Sequence, residues 1–257
     1  NLDFNSIDTF KDDIFKTKDA LNGIERLTAA KSKAEKLIDS LKFINKAQFT
    51  HANDEIMNTN SIAQLSRIVN QAFDLNDAMK SLRDALNNQA LPVQASSNYI
   101  NSDEDLKQQF DHALSNARKV LAKETGKNLD EIQIEGLKQV IEDTKDALNG
   151  IQRLSKAKDK AIQYVQSLSY INDAQRHIAE NNIHTSDDLS SLANTLSNAS
   201  DLDNAMKDLQ DTIESNSSSV PNSVNYINAD KNLQIEFDEA LQQASATSSC
   251  LLYTSDA

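Results

Sequence analysis

Apolar residues recur along the chain at intervals of three and four, the pattern of helices with one buried face. Ile134, Leu137, Ile141, Leu148 and Ile151 make one such stripe, which resumes at Leu154, Ala161 and Leu168. The resumption comes one residue earlier than a continued heptad demands, and so turns the buried face by about 100°. The same slip follows Leu21 and Ile24, where the series restarts at Leu27, Ala30, Ala34, Ile38 and Leu41. Both slips fall at a glycine, Gly150 and Gly23. The spacing predicts one long helix serving two successive cores, with the glycine permitting close helix approach or a bend.

A short helix follows, over Lys46–Met57 and again over Asp173–Ile183. Thr59, Asn60 and Ser61, and in the second case Thr185, Ser186 and Asp187, are natural caps for the next helix. That helix carries Ile62, Leu65, Val69 and Ala72 on one face and then Leu75, Met79, Leu82 and Leu86, so it too can serve two cores. A loop containing the only prolines, Pro92 and Pro221, is predicted next. It leads through Asn-Tyr-Ile-Asn to a fourth helix with Phe110, Leu114 and Ala117, and Gly126 is expected as its C′ stop.

These elements occur twice. Asp19-Ala20-Leu21-Asn22-Gly23-Ile24 returns as Asp146-Ala147-Leu148-Asn149-Gly150-Ile151, and Asn98-Tyr99-Ile100-Asn101 returns as Asn225-Tyr226-Ile227-Asn228, both at an offset of 127 residues. Ala78-Met79 and Phe110-Asp111 recur at the same offset. The match stops after Ala244, where Ser245-Ala246-Thr247-Ser248 stands in place of an echo of Arg118-Lys119-Val120-Leu121. Residues 245–257 therefore read as a non-native tail, foreign to the repeat, or else as a natural linker.

Composition narrows the fold class. Four glycines and two prolines in 257 residues leave too few turn-formers for a β-sandwich, a barrel or a doubly wound α/β fold. The chain is expected to be all-α, an elongated string of three-helix bundles sharing long connecting helices. A net charge of −13 opposes nucleic acid and anionic lipid surfaces, and no apolar stretch approaches the roughly 20 residues needed to span a bilayer. The single cysteine, Cys250, can form no internal disulfide and complete no zinc site by itself.

Two families are visible in the residues. Leu27-Thr28-Ala29-Ala30-Lys31-Ser32-Lys33-Ala34, through Ile38, Leu41 and Asn45-Lys46-Ala47-Gln48 to Ile68, resembles the three-helix GA module of Gram-positive surface proteins. Leu75-Asn76-Asp77-Ala78-Met79, Asn98-Tyr99-Ile100-Asn101, Phe110-Asp111-His112-Ala113 and the run to Gly150 resemble a FIVAR module. Their alternation is similar to the giant cell-wall-associated matrix-binding proteins of staphylococci, of the Ebh and Embp type. The expected division is a half FIVAR-like bundle over 1–23, GA-like bundles over 24–73 and 151–200, a FIVAR-like bundle over 74–150 and an incomplete one over 201–244. The resemblance implies an extracellular, wall-associated protein that binds host matrix, fibronectin foremost. Its rival is a mechanical or envelope-organising spacer with no host ligand.

No site chemistry emerges from the residues. The histidines His51, His112, His177 and His184 have Ile178, Glu239, Thr50 and Met57 as their counterparts, so none recurs. A catalytic or metal site belonging to the repeat would need its histidines in both copies, so no catalytic residue, metal or cofactor is expected. The acid pairs Asp12-Asp13 and Asp187-Asp188 read as solvated faces or helix starts. Asn98, Tyr99 and Asn101, with Asn225, Tyr226 and Asn228, either contact a ligand or close a turn. The albumin-binding surface of GA modules centres on the second helix, where Phe49, Thr50 and His51 become Arg176, His177 and Ile178. Albumin binding by both modules is not expected, and no ligand-contact residue is assigned. Residues 1–23 match 128–150, the segment that closes a FIVAR-like bundle, which leads to an expectation of head-to-tail self-association.

Overall fold

A computed structural model describes residues 4–249, and these contain twelve α-helices and no strand. Cys250 and the rest of the tail beyond it lie outside the described residues. In the first half the helices are α1 (Phe4–Asp19), α2 (Gly23–Asp39), α3 (Lys46–Asn58), α4 (Ile62–Gln94), α5 (Ser97–Ile100), α6 (Glu104–Leu121) and α7 (Glu131–Asp146). The second half has α8 (Gly150–Ser167), α9 (Asp173–Thr185), α10 (Leu189–Ser219), α11 (Val224–Ile227) and α12 (Lys231–Ser248). The chain divides into two compact units. One holds the residues up to 94 with 105–147, the other 95–104 with the residues from 148 on.

In the first unit α2, α3 and the first half of α4 enclose a core that includes Ile38, Ile44, Ile56, Leu65 and Ile68. In the second unit α8, α9 and the first half of α10 repeat it with Val165, Ile171, Ile183 and Leu192. Burying each such side chain contributes about 1.5–3 kcal/mol. Beyond Asn76 the face of α4 changes duty. Met79, Leu82 and Leu86 are buried there, as are Phe110 and Leu114 of α6 and Ile134 and Ile141 of α7, which lies along α4. The changeover is marked by a polar side chain: Asn76 Oδ1 accepts from the Phe43 N–H at 2.9 Å. Asp203 does the same for the Tyr170 and Ile171 N–H groups at 2.7 and 3.1 Å. Sharing of one long helix between two cores is thus real for α4.

The helix expected to run unbroken through Gly150 is interrupted. α7 stops at Asp146 and α8 starts at Gly150, with Asn149 in a non-helical conformation at φ −119°, ψ 12°. The Asn149 and Gly150 N–H groups donate instead to Ser102 Oγ, at 2.9 and 3.0 Å. The first copy breaks at the same place, between the end of α1 at Asp19 and the start of α2 at Gly23. The phase slip in the apolar stripe is the sequence trace of this break. A second departure concerns Pro92, which lies in the last turn of α4 rather than in a loop. Lacking an N–H, it cannot make the helical bond to the carbonyl four residues back, and only Val93 and Gln94 of the helix lie beyond it. Gly126 is no C′ residue either, because α6 has already ended at Leu121; its N–H donates to the Ala122 carbonyl.

Capping fixes where the helices start. Asn45 with Gln48, Asp130 with Gln133 and Asn172 with Gln175 form capping boxes at α3, α7 and α9. Lys31 Nζ donates to the Met57 carbonyl at the end of α3, and its repeat mate Lys158 donates to the His184 carbonyl at the end of α9. Asp188 caps α10, accepting from the Ser191 N–H at 2.8 Å and the Ser191 hydroxyl at 2.9 Å, which hold its carboxyl below the usual range. A group with a depressed folded pKa stabilises above its unfolded pKa, and that contribution is lost as pH falls through the folded one. Asp188→Ala is therefore expected to lower Tm at neutral pH, with the gap to the unaltered chain closing toward acid. A gap independent of pH in a series of thermal melts would refute this.

Candidate functional site

The Asn-Tyr-Ile-Asn segment forms α5, a single helical turn capped by Ser96 Oγ, which accepts from the Tyr99 N–H at 3.2 Å. Asn98 spans the break before α8: its Nδ2 donates to the Leu148 carbonyl at 3.3 Å, and its Oδ1 accepts from the Ile151 N–H at 3.1 Å. Asn101 is buried. Its Nδ2 donates to the Ser97 and Asp187 carbonyls, both at 2.9 Å, while its Oδ1 accepts from the Leu189 N–H at 2.8 Å. Arg153 completes the joint with an ion pair to Asp103 at 3.0 Å and a hydrogen bond to the Asn101 carbonyl at 2.7 Å. A Cβ on Gly150 would lie 2.1 Å from the Asn98 carbonyl oxygen, so the turn packs where only hydrogen fits.

The hydrogen-bonding capacity of Asn98 and Asn101 is thus spent on joining α5 to α8 and to the start of α10. In the second copy, among the described residues, Asn228 Nδ2 donates to the Val224 carbonyl alone, and Tyr226 donates to Asp238 at 2.9 Å while its ring meets Phe237 edge-on. The Tyr226 hydroxyl is held above its ordinary pKa chiefly by this bond to Asp238.

A second joint lies at the start of α3. Asn45 Nδ2 donates to the Val120 carbonyl at 3.1 Å and to the Lys127 carbonyl at 2.9 Å, and Gln48 Nε2 donates to the Leu129 carbonyl at 2.9 Å. Asn172 repeats the first of these with the Thr247 carbonyl, at 3.2 Å. Sequence reasoning missed both joints, because bonds such as Asn45 to Val120 and Asn101 to Asp187 bridge 75 and 86 residues and leave no periodic trace. The start of α3 is therefore covered within the chain.

What α3 and α9 leave exposed differs between the copies. His51 pairs with Glu55 at 3.8 Å along a groove of about 490 Å³ that Gln71, Leu75 and residues 128–133 also line. The repeat mates of His51, Glu55 and Gln71 are Ile178, Asn182 and Asn198. In the second copy Arg176 turns inward and caps α8, donating to the Val165, Leu168 and Ile171 carbonyls. His112 stands exposed on α6 and His177 and His184 on α9, and among the described residues no group of three His, Cys, Asp or Glu is placed to hold a metal ion. Nor, among them, is any helix long and apolar enough to cross a membrane.

The family models resolve the alternation. The GA module model matches residues 24–78 and 151–205, and the FIVAR domain model matches 78–149 and 205–249. The chain belongs to the alternating GA and FIVAR repeat proteins. The two GA matches meet the FIVAR matches within α4 and α10, the helices that the modules share. The chain is 37% identical over 96% of its length to the extracellular matrix-binding protein ebh of Staphylococcus aureus strain MW2, and 36% identical over 95% to EbhA of strain Newman. It spans 2% and 7% of those proteins. A crystallised EbhA domain from Staphylococcus aureus superposes with a TM-score of 0.70 at 25% identity, covering 77% of this chain and 81% of that one.

Proposed function

We propose that this chain is a structural and adhesive segment of a bacterial surface protein, displaying weak binding sites for a host matrix protein such as fibronectin. The observation that carries the reading is the division of labour between recurring and changing residues. Asn45 and Asn172 serve the same joint between modules, while the exposed chemistry around His51 and Ile178 diverges. A scaffold with a fixed internal frame and a variable exterior suits a repeat whose copies add avidity through many weak contacts. The names of the relatives, matrix-binding proteins, support an extracellular place and a non-catalytic role. Wall association and the choice of fibronectin rest on the family resemblance, and no albumin site is assigned.

The rival reading, a spacer without a host ligand, draws on the same joints, since the most distinctive motif of the repeat is consumed in holding modules together. Binding to immobilised fibronectin separates the two. The chain should give a saturable signal that survives raised salt and exceeds that of an unrelated helical bundle of similar charge. A signal equal to that control favours the spacer.

A further inference from the structure

The joint between α5 and α8 is built around a chemically labile dipeptide. In an Asn-Gly pair the glycine nitrogen can attack the asparagine side-chain carbon, because no Cβ on the glycine hinders the approach. The chain has two such pairs, and Asn149-Gly150 lies inside the joint. Every group the attack needs is held there. The five-membered ring that would form requires the Gly150 nitrogen to eclipse Cβ of Asn149 about the Cα–C bond, whereas a ψ of 12° eclipses it with the backbone nitrogen of Asn149. The attacking Gly150 N–H donates to Ser102 Oγ at 3.0 Å. The side chain under attack is pinned at both of its polar atoms: Asn149 Oδ1 accepts from the Asp103 N–H at 3.1 Å, and Nδ2 donates to the Asp103 carboxylate at 2.7 Å. Asn98 closes the clasp by bridging the Leu148 carbonyl and the Ile151 N–H, one on each side of the pair. Asn149 is only half-buried, so water reaches it once the clasp opens.

We propose that Asn149 is a self-modification site, whose deamidation is gated by this joint and, once complete, releases it irreversibly. With the clasp open and ψ turned, the Gly150 nitrogen gives its proton to water or hydroxide and bonds to Asn149 Cγ. The Cγ–Nδ2 bond breaks and ammonia leaves. Water then opens the ring at either carbonyl: at Cγ it yields an aspartate, and at the main-chain carbon an isoaspartate, whose backbone runs through the former side chain. Neither product rebuilds the joint. The isoaspartate backbone is one carbon longer between the Leu148 carbonyl and the Ile151 N–H, which breaks the spacing that Asn98 bridges. It also shifts Gly150, which has no room to move where a Cβ would stand 2.1 Å from the Asn98 carbonyl oxygen. The aspartate sets a second carboxylate against that of Asp103 where an amide N–H had donated, and Arg153 is already engaged by the other oxygen of Asp103. Each opening exposes the pair, and a reacted joint stays open.

This site stands apart from the fibronectin reading, and its test needs no matrix protein. The tryptic peptides 19–26 and 146–153 differ only at Glu25 and Gln152, so deamidation at Asn149 gives the second the mass of the first. The experiment therefore uses the full chain carrying Asn22→Gln, a position whose side chain makes no capping bond. In mildly alkaline buffer, peptide mapping should show Asn149 reacting at least about tenfold more slowly in the folded chain than in urea, since the reaction follows the population of the open form. Ser102→Ala, the residue type already present at its repeat mate Ala229, should speed the folded reaction about tenfold by removing an acceptor shared by two N–H groups. Asn98→Ala, which opens the clasp from the other side, should act in the same direction. Separated by anion exchange through its added charge, the deamidated chain should exchange its amide hydrogens faster through α5 and the first turn of α8. Equal rates in the folded chain and in urea, no acceleration by either variant, or amide exchange unchanged after deamidation would each overturn the proposal.

Discussion

Phe110→Ala is expected to destabilise the first unit by about 3–5 kcal/mol, the usual cost of emptying a fully buried aromatic site. Phe110, on α6, is 0% exposed, and at a fully buried site the loss of a ring leaves a cavity that close-packed surroundings do not readily fill. The same change at its repeat mate, Phe237→Ala, should cost only about 1 kcal/mol, because that ring is only half-buried, edge-on to Tyr226. Urea denaturation followed by amide hydrogen exchange, which resolves the two units, measures both. Equal losses would show that burial in the third-helix position does not govern the stability of this bundle.

Gly150→Ala should cost at least about 1–3 kcal/mol, although a glycine at the first turn of a helix ordinarily gains from replacement by alanine. The new methyl carbon would stand 2.1 Å from the Asn98 carbonyl oxygen and 2.7 Å from the Ser102 nitrogen, both backbone atoms of a turn that cannot swing aside. Moving them would strain the Asn98 and Ser102 hydrogen bonds that set the break before α8. Gly23→Ala meets nothing within 4 Å and should be neutral, or stabilising by up to about 1 kcal/mol. Thermal melts of the two single variants form a matched pair in identical local sequence, and a higher Tm for Gly150→Ala would contradict the argument.

That pair also shows why parts of the structure were readable in the sequence and parts were not. The two cores, the shared helix α4 and the starts of α3 and α9 follow from apolar spacing, whereas the cap of α10 is Asp188, one residue beyond the Thr185, Ser186 and Asp187 expected from the sequence. Asn22-Gly23 and Asn149-Gly150 look identical along the chain, but they differ in whether residues 98–102 come to meet them. Periodicity registered the phase slip without revealing whether the helix bends or breaks there. Pro92 misled in the opposite direction: a local rule for loops gave way to a helix that runs two residues past the proline despite the bond it cannot make. All four histidines are exposed, and His51 and His177 pair with Glu55 and Glu180 of their own helices.

The joint made by Asn45 and Asn172 uses backbone carbonyls as acceptors, those of Val120 in one copy and Thr247 in the other. Every residue type supplies the same oxygen, so the acceptor position can mutate without loss of the bond, and only the asparagine is held fixed. Duplicated units joined in this manner can drift apart in composition, gain or lose whole copies, and still recognise whichever neighbour they come to adjoin.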